Sequence, residues 1–102
     1  MNFLSVIIST VEDITGIKEE EIKSKSRHAE KMQAKKLLVI IAQEYGISND
    51  AIARLLNVTS AGVRGLAAAA KGKDNGKIFA INYTKIKKKL ESNHDSNTAQ
   101  KN

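Results

Sequence analysis

Apolar side chains recur at steps of three and four along most of the chain, the period of a helix with one buried face. Leu4, Ile7, Ile8, Val11 and Ile14 mark a first amphipathic helix over 3–15, with Asn2 placed to cap it and Gly16 to stop it. Ile17 follows as a core plug. Ile22 anchors a further one or two turns over 18–23, where Glu19 and Glu20 sit near a helix N-terminus that favours anions. Residues 23–27 read Lys-Ser-Lys-Ser-Arg, a basic loop with no apolar anchor. The longest predicted helix is 28–45. Met32, Ala34, Leu37, Leu38, Ile41, Ala42 and Tyr45 form its inward side, and Val39 and Ile40 widen that side. A helix this apolar belongs at the centre of the fold, buried on more than one face. Lys31, Lys35 and Lys36 are expected to project from its first half, and Gly46 ends it.

Residues 48–71, SNDAIARLLNVTSAGVRGLAAAAK, have the pattern of a helix-turn-helix. The Ser48 hydroxyl can accept from a free backbone N–H in the first turn. Ile52, Leu55 and Leu56 form one stripe that stops at Asn57, a residue that tolerates the left-handed conformation. Val58 plugs the turn, and Thr59 or Ser60 caps the second helix. Val63, Leu66, Ala67 and Ala70 turn inward. Ser60, Ala61 and Arg64 are left outward near the N-terminus, where a recognition helix touches base edges. Gly62 and Gly65 each weaken this helix by about 1 kcal/mol relative to Ala. Close approach to DNA is the expected reason for Gly62, and packing against another helix for Gly65.

Beyond Ala70 the stretch Lys71–Lys77 holds two glycines and reads as a loop. Residues 77–83 fit either an extended piece or a helix start. Thr84 is placed to cap a last helix over 85–91, with Ile86 and Leu90 inward. Residues 92–102 carry no apolar pattern and are expected to be a disordered tail. No internal repeat is present. The expected fold class is all-α: a small bundle of five to six helices containing a helix-turn-helix, forming one domain over 1–91.

With 102 residues the chain can bury a single core. The absence of Cys excludes disulfides and thiolate zinc sites. The apolar start lacks a basic flank and is too short to span a bilayer, so a cytoplasmic protein without membrane contact is expected. His28 and His94 are isolated, and Glu19 to Glu21 have no His or Asp beside them. Neither a catalytic set nor a cofactor or metal site is expected.

The net charge of +6 is unevenly distributed. Residues 1–22 hold one Lys against five acids. Residues 23–37 hold six basic residues against one acid, and 57–90 hold eight against one. Two basic segments folded onto one face would make a phosphate-binding surface, which points to double-stranded DNA as the partner. Single-stranded RNA is a poorer fit, since no aromatic stacking platform is evident.

The order of these parts has a known counterpart. Gly16-Ile17, Glu21-Ile22, the loop Ser24-Lys25-Ser26-Arg27, the long helix with Ala34-Lys35-Lys36 and Ala42-Gln43-Glu44, and the hairpin with its basic second helix occur together. In this the chain resembles the C-terminal DNA-binding domain of the bacterial chromosomal replication initiator, DnaA, over roughly residues 4–90. The resemblance implies that Arg27 enters a minor groove and that Lys35 and Lys36 meet phosphates. It departs at Thr59-Ser60-Ala61-Gly62-Val63, where the family's base-reading turn has an Asp-His-Thr-Thr run. The family's ATPase also has no counterpart, because no Gly-Lys-Ser/Thr phosphate loop occurs. The expected DNA-facing set is Lys25, Arg27, Lys35, Lys36, Thr59, Ser60, Ala61, Arg64 and Lys71, acting in a monomer. Two alternatives remain. One is a dimeric Trp-repressor-like regulator, paired through helix 3–15 with Ile78, Phe79 and Ile81. The other is a protein-interaction module whose acidic N-terminal helix takes a basic partner.

Overall fold

Why the first helix stops where it does sets the rest of the arrangement. In the computed structural model, which describes residues 3–25 and 28–101 with side chains through Ser92, α1 spans Phe3–Thr15. Leu4, Ile7, Ile8 and Val11 are buried along one side. Thr10 shares that side because its hydroxyl donates to the Val6 carbonyl at 2.8 Å, which satisfies the polar group inside the core. Gly16 then takes a left-handed φ of 76° and turns the chain. The short α2 (Glu19–Lys23) has no capping side chain of its own. Instead the Glu12 carboxylate reaches from α1 and accepts from the Glu19 N–H at 2.7 Å. That bond satisfies a free donor of α2 and couples the two helices. Ile22 is fully buried beneath it.

The central helix α3 (Ala29–Glu44) buries Ala34, Lys35 and every residue from Leu37 to Ala42, so all of its faces meet protein. α1 and α2 pack on it, as do α4 (Asn49–Leu56), α5 (Ser60–Ala70) and α6 (Gly76–Lys101). Tyr45 departs from expectation. It caps α3 at the surface, 37% exposed, with its ring edge-on to Phe3 at 4.8 Å and Lys87 above it at 4.9 Å. One turn past the buried stretch, the helix has left the core.

α6 begins at Gly76, well before the expected residue 85. Phe79, Ile86 and Leu90 are buried, and Tyr83 packs beside them, making one stripe at spacings of four, three and four. The stripe crosses Thr84, which is interior to the helix and donates to the Ala80 carbonyl at 3.1 Å. Asn75, ending the 3-10 turn Lys73–Asn75, joins α5 to α6. Its Nδ2 donates to the carbonyls of Ala69, Ala70 and Gly72, and so closes the C-terminal end of α5.

The described residues form an all-α fold of six helices. None of these helices is long and apolar enough to cross a membrane. The Asn2 cap and the side chains of the expected tail beyond Ser92 lie outside the described residues.

Candidate nucleic-acid interface

The local signals of the hairpin correspond to atoms. Ser48 Oγ accepts from the Ala51 N–H at 3.2 Å and starts α4. Asn57 adopts φ 58° and ψ 47°, the left-handed conformation that lets the chain reverse within three residues. Val58 is half-buried at the turn and packs on the core. Thr59, rather than Ser60, caps α5: its Oγ1 accepts from the Gly62 N–H at 3.0 Å. That leaves the Thr59 hydroxyl proton available at the surface.

α5 buries Val63, Ala67 and Ala70 against α3 and α4, with Leu66 half-buried. Successive residues are rotated by about 100°. Ala61, Gly65 and Ala68 therefore form the outer ridge, and all three are exposed. Arg64 and Lys71, seven residues apart, share one flank of that ridge. Both are exposed, and no hydrogen bond or ion pair engages the Arg64 side chain among the described residues. Gly62 and Leu66 form the other flank. There they line an open groove of about 690 Å³ with Lys25, Met32, Lys35, Asn57 and Val58. Cations from the basic loop and from α5 thus bracket a ridge of very small side chains.

Several expected site residues are placed differently. Lys35 does not project: it is 6% exposed, and its Nζ donates to the Ser24 carbonyl. Burial, with help from the neighbouring Lys31, holds its pKa below the ordinary lysine value. The cause is position on α3, where Lys35 follows the buried Ala34 and shares its enclosed side. Lys36 is half-buried and turned another way, donating to Asn75 Oδ1 at 3.1 Å at the α5–α6 junction. Ser60 spends its proton on Asp50 Oδ1 at 2.6 Å, so its hydroxyl is tied to α4. Lys71 lies at the far end of α5, near Gln43, Glu44 and Tyr83. Arg27 lies outside the described residues.

The surroundings of the two glycines differ from those expected. A Cβ at Gly62 would stand 3.3 Å from Thr59 Oγ1 and 3.6 Å from Val58 Cβ, so its smallness serves the turn. A Cβ at Gly65 would meet nothing within 4 Å, so no helix packs there. Arg54, exposed on α4 beside Asn57 and Ser60, belongs to the same surface. Its outward position in the α4 stripe marks it in the sequence, but the expected set centred on α5. Among the described residues, no group of three His, Asp or Glu side chains is arranged to hold a metal. No family model, curated protein or solved structure matches the chain.

Proposed function

We propose that this chain binds double-stranded DNA, with α5 entering the major groove as the recognition helix of a helix-turn-helix. The observation that carries the reading is Gly65. It sits mid-helix and exposed, with open space around it, where Ala would make a more stable helix and nothing in the chain's own packing forbids one. A partner that comes close to the backbone supplies the missing reason. The ridge of Ala61, Gly65 and Ala68 is narrow enough to sit deep in a groove about 12 Å wide. Arg64 on one flank and Lys25 on the other then face the two phosphate walls, with Arg54 beyond the turn. Arg64 is also the residue best placed for a bidentate contact to guanine, worth about 1–3 kcal/mol of discrimination. The Thr59 hydroxyl donates to a phosphate near the α5 N-terminus.

This reading retains the resemblance to the replication initiator's DNA-binding domain as a proposal for the class. The different residues at 59–63 assign it a different target sequence. The dimeric alternative loses most of its expected surface: the stripe Leu4, Ile7, Ile8 and Val11 of α1 is buried, as is Phe79, leaving Phe3, Ile78 and Ile81 exposed at 38%, 64% and 48%.

The test is a fluorescence-anisotropy titration of labelled duplexes at several salt concentrations. About five phosphate contacts should make log K fall with log salt with a slope of about −4 to −5. Absence of binding to every duplex in a random pool, or a flat salt response, would reject the proposal. Arg64→Ala should relax sequence preference in a selected pool while leaving residual affinity for duplex. An unchanged preference would remove α5 from the base-reading role.

A further inference from the structure

A buried lysine needs a reason. Lys35 is 6% exposed, flanked in sequence by the buried Ala34 and close to Leu37, and its ammonium has the Ser24 carbonyl as its acceptor among the described residues. Removing an ammonium from water is costly, and an apolar side chain of similar volume in such a place is often neutral or stabilising. Packing alone therefore does not account for a charge here. What the charge does have is a specific partner. Ser24 makes hydrogen bonds to α2 and to α3. Its N–H and its hydroxyl both donate to the Glu21 carbonyl, at 3.2 and 2.7 Å, and its own carbonyl accepts from Lys35. The next residue is Lys25, exposed on the rim of the groove that Gly62 and Leu66 of α5 line from the other side.

We propose that Lys35 is a positioning residue of the DNA-binding surface: it fixes Ser24 to α3 so that Lys25 leaves from a rigid post beside the N-terminal half of α5. The inference rests on the duplex-binding reading above. It differs from a direct phosphate contact by Lys35, because the acceptor is a backbone carbonyl of the protein itself. The lowered pKa of Lys35 agrees with this enclosed position. Charge pairs and single polar groups in cores are best attested as devices that set register, and here the register is that of a cationic loop against a helix.

The experiment has two arms on the full chain. In the first, amide hydrogen exchange is measured without DNA. Lys35→Met should speed exchange of the Ser24 amide, which donates to the Glu21 carbonyl, by about tenfold, while core amides such as Leu38 and Ala67 keep their protection, as expected of a local opening. Lys35→Arg, which keeps a donor, should restore much of the protection and covers the case in which Lys35→Met does not fold. In the second arm, duplex affinity is measured in a double-mutant cycle. Lys25→Ala should weaken binding by about threefold to tenfold in the wild-type background and by less than twofold in the Lys35→Met background, since the post that aims Lys25 is already lost. Multiplying fold-changes, or unchanged exchange at Ser24, would overturn the proposal. If no variant and no wild-type protein binds duplex, the functional reading fails. The exchange arm then decides on its own whether Lys35 anchors the loop.

Discussion

Gly65 and Gly62 show how far a residue type can be interpreted before its surroundings are known. Both are helix glycines three residues apart, and both weaken α5 in the same way. Only neighbouring atoms separate them: Thr59 and Val58 crowd one, and open space surrounds the other. A substitution exploits the difference. Gly65→Ala should raise stability by about 1 kcal/mol, seen as a thermal midpoint several degrees higher, and should weaken duplex binding. A variant that is more stable yet binds DNA as tightly as the parent would place the ridge away from the groove. Lys35 and Lys36 give the same lesson for charge. Adjacent in sequence, they were expected to share a role, but a rotation of about 100° sends one to Ser24 and the other to Asn75.

At the scale of elements, helix ends near glycines, caps and the left-handed Asn57 were legible, because each depends on chemistry within four residues. The start of α6 was not. Its stripe of Phe79, Tyr83, Ile86 and Leu90 is regular, but its closing device, the three bonds from Asn75 Nδ2, acts on carbonyls of α5. The middle of α6 is tied to the end of α3. Tyr83 donates to Glu44 Oε2, and Lys87 pairs with Glu44 Oε1 at 3.0 Å. The Tyr83 pKa is raised by burial and then by Glu44 as acceptor, and that of Lys87 is raised mainly by its hydrogen bond to Glu44. The sign follows for both. Each group contributes stability fully below its ordinary value, 10.0 for Tyr83 and 10.5 for Lys87, and loses it as pH climbs through the raised folded value. Denaturant melts from pH 8 to 11.5 should show stability falling above about pH 10, and falling less steeply in Glu44→Gln. Lys35 contributes the opposite slope to both proteins and cancels in the comparison. Equal slopes would mean that Glu44 does not link these elements.

For the whole molecule, α3 divides the cations into two populations. α4 and α5 pack on it, as do α1 and α6, and Ile78 of α6 lies beside Thr15 and Ile17 of the α1 end. Lys85 and Lys88 continue the Ile78 side of α6, while Ala80, Tyr83 and Thr84 face the end of α5. Lys89 is neutralised by Asp13 of α1 at 2.9 Å. The totals of charge per segment could not reveal this division, because they count lysines on both sides of α6 together. Replacing Lys25 and Arg54 by Ala should reduce the magnitude of the salt slope by about two, and replacing Lys85 and Lys88 should leave it unchanged. Comparable effects from both pairs would show that the duplex is held by overall charge and not by the face around α5.

Periodicity, caps and turn residues in the chain alone determined an all-α fold, the central place of α3 and the form of the hairpin, since each of these is a contest settled among near neighbours. Which cations face outward was decided only by tertiary packing. A lysine carries the same charge wherever it lies, but whether it meets solvent, a carbonyl or a carboxylate depends on helices that arrive from elsewhere in the chain.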